Sequence, residues 1–118
     1  KMDNFITLTD GTRLEVKVNF GTIYYLTKCG GDKLSKKIAK KQKQKKEATD
    51  YEKMEMSAKI IYAILRSNGK KVTFDEALEL VPPDLEDLEK IVKAFEESLE
   101  KNKKKEQAKN NMRKTYQK

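Results

Sequence analysis

Side chains with any prospect of chemistry are concentrated in a few short stretches. Lys33–Lys46, KLSKKIAKKQKQKK, holds eight lysines and neither an acid nor an aromatic residue. Asp84–Glu89, DLEDLE, places four carboxylates in six residues, and Cys29 is the one thiol of the chain. Histidine is absent, which excludes imidazole as base, acid or metal ligand. No glycine-rich phosphate loop and no paired-cysteine metal spacing occurs, so no cofactor is implied.

Each of these stretches has a structural reading that competes with the chemical one. DLEDLE lacks the central glycine of a calcium loop and stands where a helix is expected to begin, so its acids are expected to offset the helix dipole. Asp75 and Glu76 have the same explanation. Cys29 precedes two glycines and has no histidine to activate it, which argues against a catalytic thiol. The lysine run could neutralise phosphates and release counterions, giving salt-sensitive binding that ignores sequence. It has no arginine for bidentate contacts and no aromatic for base stacking. Leu34 and Ile38 are one helical turn apart, yet the like-charge pairs Lys36/Lys40 and Lys37/Lys41 oppose a helix. The expectation is a solvated linker or frayed helix over residues 32–50, and a small nucleic-acid-binding or regulatory protein using Lys33–Lys46 is the alternative to the function reached below.

Stepping outward, charge divides the chain. Residues 1–32 hold 4 basic and 4 acidic side chains, residues 47–100 hold 7 and 14, and residues 101–118 hold 8 and 1. The net charge of +8 therefore comes from the lysine run and the C-terminal segment, with an acidic body between them. At 118 residues and 36% hydrophobic content the chain predicts one small domain over 2–100, starting at Met2, with a basic polar tail over 101–118 that is disordered or frayed. A lone cysteine and no leader point to the cytoplasm. No apolar run approaches the roughly 20 residues that span a bilayer, so no membrane partner is expected.

FITLTDGTRLEVKV predicts a β-hairpin. A two-residue Asp10-Gly11 loop would split the apolar residues between the two faces. A three-residue loop, Thr9-Asp10-Gly11 with Gly11 left-handed, pairs Ile6 with Leu14 and Leu8 with Thr12 and brings Ile6, Leu8, Leu14, Val16 and Val18 to one face. This face must pack on helices, because a lone hairpin is unstable in water. Gly21-Thr22 opens a short helix, from which Ile23, Tyr24 and Leu26 are expected to reach the hairpin and which Cys29-Gly30-Gly31 stops. From Tyr51 to Asn68, Met54, Ala58, Ile61 and Leu65 form a helical stripe flanked by Ile60 and Ile64, with Gly69 placed as a left-handed cap. Thr73-Phe74-Asp75-Glu76 reads as a capping box; Phe74, Ala77, Leu78 and Val81 follow on one face, and Pro82-Pro83 stops that helix. Asp84 then caps a helix in which Leu85, Leu88, Val92, Phe95 and Leu99 recur with Ile91 beside them. The fold class expected is α+β, a two-stranded antiparallel hairpin on three or four helices.

With these elements in order, the chain resembles the tail assembly chaperones of long-tailed, siphovirus-type bacteriophages or prophages of Gram-positive bacteria. The likeness is carried by Phe20-Gly21-Thr22 leading into Tyr25-Leu26, by Ile60-Ile61-Tyr62-Ala63-Ile64-Leu65 followed by Asn68-Gly69, by Thr73-Phe74-Asp75-Glu76-Ala77-Leu78, and by the Leu88 to Phe95 repeat. The Lys33–Lys46 run departs from the family pattern. The resemblance implies a non-enzymatic helper in the cytoplasm of the bacterial host, absent from the mature virion. It would coat the tape measure protein and help recruit tail tube protein, with homo-oligomerisation possible and nucleic acid not the expected partner. Exposed members of the Leu88, Ile91, Phe95 and Leu99 face are the expected partner-binding residues.

Overall fold

The structure, a computed structural model, describes residues 4–116 and the side chains of residues 4–104. Strands β1 (Phe5–Thr7) and β2 (Arg13–Glu15) form an antiparallel hairpin, followed by helices α1 (Phe20–Lys28), α2 (Gly31–Lys43), α3 (Asp50–Ser67), α4 (Phe74–Glu79) and α5 (Leu85–Tyr116). The α+β class holds, with five helices among the described residues rather than three or four.

The hairpin adopts the three-residue-loop register. Ile6 faces Leu14, the Leu8 amide donates to Thr12 O (2.8 Å), and Gly11 closes the loop at φ 87°. Ile6, Leu8, Leu14 and Val16 are buried, and Val18 packs on the core from its edge. One polar knot holds the hairpin to α5. Ser98 Oγ donates to Val16 O (2.8 Å) and accepts from Asn4 Nδ2 (3.1 Å), so a hydroxyl buried on α5 is satisfied by the strands it supports. At the loop end the Thr9 amide donates to Leu80 O (3.1 Å) and its hydroxyl to Glu79 O (2.9 Å), fastening the hairpin to the end of α4.

Helix α3 is the centre. It packs against α1, α2, α4 and α5, and Ala58, Ile60, Ile61, Ala63 and Ile64 are closed to solvent on several sides of it. A helix apolar over most of its circumference must be surrounded, and here it is. Met56 is buried where Met54 was expected; Met54 is exposed. Helix α1 packs on α3 and α2 rather than on the hairpin, so Tyr24 is exposed and only Leu26 of the expected trio is fully buried. Tyr25, Tyr62 and Phe74 stack edge-to-face across α1, α3 and α4, at centroid distances of 6.3 and 6.1 Å.

Capping boxes begin three of the helices. The expected one pairs Thr73 with Glu76; Thr49 and Glu52 make a second, and Asn19 and Thr22 a third. Leu78 is exposed on α4, and Leu80 packs in its place. Asp84 stands before α5 with its carbonyl accepting from the Leu88 amide (3.1 Å).

The linker expected over 32–50 is a helix for most of its length. Gly30, left-handed at φ 84°, turns the chain directly from α1 into α2. A Cβ on Gly31 would lie 2.5 Å from Leu26 Cδ1, so this corner admits only glycine there. What overrides the like-charge cost is burial of Ile38, half-burial of Leu34 and the ion pairs described below. In the basic tail the backbone stays helical to Tyr116, past the end of the apolar pattern. Lys, Glu, Gln and Ala are strong helix formers, and α-helical hydrogen bonds are local and need no apolar stripe.

Helix α2 ends in a Schellman turn: the Lys46 amide donates to Lys41 O (2.8 Å) and the Lys45 amide to Gln42 O (3.0 Å). The left-handed residue is Lys45, at φ 60°, where most such turns use glycine. Lys45→Gly is expected to raise stability by about 0.5–1 kcal/mol, read as a higher denaturant midpoint with unchanged slope.

Candidate functional site: a groove between two helices and a lysine-bearing helix

The stripe expected to meet a partner is core. Leu88, Ile91 and Phe95 are each 1% exposed, and Leu99 is half-buried against the same cluster. The reason lies in helix phase. The residues of α5 that turn inward are Leu88, Ile91, Phe95 and Ser98, while Leu85 stays exposed and Val92 lies at the margin. With the hairpin and α3 both packed on α5, the repeat has internal surfaces to meet.

The apolar surface left over sits beside that stripe. Helices α2 and α5 both pack on α3, while their backbones stay apart from each other. The gap between them is an open groove of about 430 Å³. Ile38, Ala48 and Val92 supply its apolar lining, with lysines and glutamates from α3, α5 and the α2–α3 loop around them. Across it Lys53 Nζ donates to Glu89 Oε2 (2.8 Å), and Glu89 holds the Lys53 ammonium above its ordinary value. Glu96 is exposed as a residue, but its carboxyl is partly desolvated against the groove wall and titrates above the usual carboxylate range. Val92 was visible in the sequence repeat; Ile38 and Ala48 were hidden because they lie in a segment read as solvated.

Glu52 fixes the seating of α2 on α3. This residue lies in the first turn of α3 with its side chain 8% exposed. Its carboxylate accepts from Lys41 Nζ at 2.7 Å and from the Thr49 amide at 2.9 Å, and pairs with Lys37 Nζ at 3.3 Å. The Lys41 hydrogen bond, then the Thr49 amide and Lys37, hold the carboxyl down from 4.5 to about 2, against the opposing effect of burial. Two lysines of the run are therefore spent internally, fixing α2 to α3. The capping box T-x-x-E at Thr49–Glu52 is legible in the sequence and places the start of α3 at Asp50, one residue earlier than Tyr51.

The remaining lysines are sorted by the helix. Lys33, Lys36, Lys40 and Lys43 are all exposed and fall within about 80° of the α2 circumference, opposite Leu34 and Ile38. Among the described residues none of these four forms an ion pair.

Cys29 closes α1. Its thiol donates to Leu26 O (3.4 Å), its carbonyl accepts from Lys59 Nζ (2.6 Å), and burial pushes the thiol pKa up, away from the reactive thiolate. Among the described residues no group of three or more Cys, Asp or Glu side chains could hold a metal ion, and no helix is long and apolar enough to cross a membrane. No protein-family model, curated protein or solved structure matches the chain.

Two measurements follow from the burial pattern and the carboxylate. Phe95→Asp is expected to unfold the domain, and Phe95→Ala to cost about 3–5 kcal/mol in chemical denaturation; a folded, stable Phe95→Asp protein contradicts the packing. Because the folded pKa of Glu52 is depressed, its contribution is complete above 4.5 and disappears as pH falls towards about 2. Thermal melts should therefore show Glu52→Gln less stable than the parent at neutral pH, with the gap closing across that acid window.

Proposed function

We propose that the protein is a non-enzymatic tail assembly chaperone of a long-tailed phage or prophage, acting in the host cytoplasm and left out of the virion. It binds the tape measure protein and helps recruit tail tube subunits. The observation that carries the reading is the groove between α2 and α5, which offers an apolar lining flanked by both signs of charge. The residues that resemble the family, Ile60 to Leu65 and Thr73 to Leu78 among them, build the frame around α3 and α4.

The physical logic is shielding. A long amphipathic helix exposes an apolar stripe that aggregates in water, and a small domain with a groove covers a short piece of that stripe by helix-in-groove packing. Each copy holds weakly, and several copies along one partner hold firmly through avidity. The charged rim supports register: beside the internal Lys53–Glu89 pair, Lys46 and Lys93 are placed for acids of a partner helix and Glu47 and Glu96 for its bases. Recruitment of tube subunits is the second half of the role, and the groove accounts only for the first.

Co-expression with a tape measure fragment tests this directly. The parent chain is expected to keep the fragment soluble and to co-purify with it. Val92→Glu and Ala48→Glu each introduce a charge into the groove lining and should weaken capture about tenfold or more, with far-ultraviolet circular dichroism unchanged. Capture that survives both substitutions in folded protein removes the groove from the proposal.

A further inference from the structure

We propose that the outer face of helix α2 is a second interaction surface, one that binds the phosphate backbone of nucleic acid without reading its sequence. The surface is the row Lys33, Lys36, Lys40 and Lys43, exposed throughout and free of acidic partners among the described residues. As an unstructured linker the run would present its charge diffusely. As a helix it presents a line about 15 Å long, with neighbouring lysines roughly 5–6 Å apart at Cβ, a spacing close to that of successive phosphates on one strand.

Three features of this surface select a polyanion of phosphates over other anionic partners. Lys37 and Lys41 already neutralise Glu52, so the acid inside the protein that could have used this charge is satisfied from the helix's inward side. The four outward lysines have no large apolar neighbour on their own face, only the exposed methyl of Ala39 at its edge; Leu34 and Ile38 point the other way. An acidic protein helix would thus gain only exposed ion pairs, each worth roughly 0–1 kcal/mol. A bilayer surface would gain no inserted side chain. Nucleic acid is different, because its condensed counterions are released for each phosphate neutralised, which makes lysine alone an adequate ligand. The absence of arginine and aromatic residues from the row leaves no means of telling one base from another.

Such a row also has a cost in isolation. Lys36 and Lys40 repel one another at i,i+4, and Lys33, Lys36, Lys40 and Lys43 crowd four positive charges onto one side of a short helix. Phosphate binding relieves that repulsion, so the ligand stabilises the helix that presents it.

The surface lies on the side of α2 opposite Ile38, so it is separate from the groove, and its failure would not touch the chaperone reading. The full chain is titrated into a fluorescein-labelled random duplex, with polyglutamate and phosphatidylserine vesicles as rival polyanions. Binding is expected at low salt, with log Kd rising against log salt at a slope of about 2–4, near 0.9 for each lysine engaged. Lys33→Gln, Lys36→Gln, Lys40→Gln and Lys43→Gln combined should weaken binding about tenfold or more and flatten the slope, while the four matching Lys→Arg changes preserve it. The milder pair Lys36→Gln with Lys40→Gln should remove about half of the slope, which keeps the question open to test if the fourfold variant folds poorly. Substituting Lys101, Lys103 and Lys104 by Gln should leave most of the affinity. The proposal is overturned if the parent does not bind duplex at low salt, if polyglutamate or the vesicles bind as tightly as duplex, or if the fourfold Gln variant binds like the parent.

Discussion

Everything in this molecule rests on the enclosure of α3. A helix with Ala58, Ile60, Ile61, Ala63 and Ile64 out of contact with water cannot exist alone, and the other elements are arranged by the need to cover it. The small residues Ala58 and Ala63 let neighbours come close, and the isoleucines fill the space between. Helices α1, α2, α4 and α5 each bring one apolar stripe to this helix and keep a polar side for solvent. The hairpin then covers the flank of α5 that α3 leaves free.

Burial on this scale makes the few enclosed polar groups decisive for geometry. Ser98 is satisfied only if the end of β2 lies against α5, and the buried Thr22 hydroxyl, bonded locally to Lys17 O and Asn19, also meets Ser67 at the end of α3 (3.3 Å). Glu52 is satisfied only if α2 lies down with Lys41 and Lys37 pointing at it. An unpaired carboxylate in that position would be costly, so the arrangement has little freedom. That docking also sorts the helix: Lys37 and Lys41 turn toward Glu52, Ile38 and Gln42 face the groove, and Lys33, Lys36, Lys40 and Lys43 stay outside.

Much of the local architecture was legible before any coordinates. The hairpin register followed from requiring Ile6, Leu8, Leu14 and Val16 to share a face, and the starts of α4 and α5 followed from Thr73, Glu76 and Asp84. These are short-range arguments, in which alternation, capping and turn chemistry involve residues within a few positions of each other. The candidate site was read less well. Which members of the Leu88, Ile91, Phe95 and Leu99 face are exposed is not legible in the sequence, because a periodic apolar stripe has the same appearance whether it meets another chain or its own core. The lysine run reads as a linker or frayed helix because the repulsion between Lys36 and Lys40 is visible locally, whereas the attraction of Lys41 for Glu52 spans a loop.

Residue order alone sets which segments turn, which face of the hairpin is apolar, where α4 is capped, and that no histidine chemistry is available. Only the tertiary structure decided which apolar stripe is enclosed, that α2 is a helix at all, and that its lysines divide into an inward pair and an outward row. Local rules depend on neighbours in the chain and can be read along it. Burial and charge pairing depend on neighbours in space, and those exist only once α3 has been surrounded.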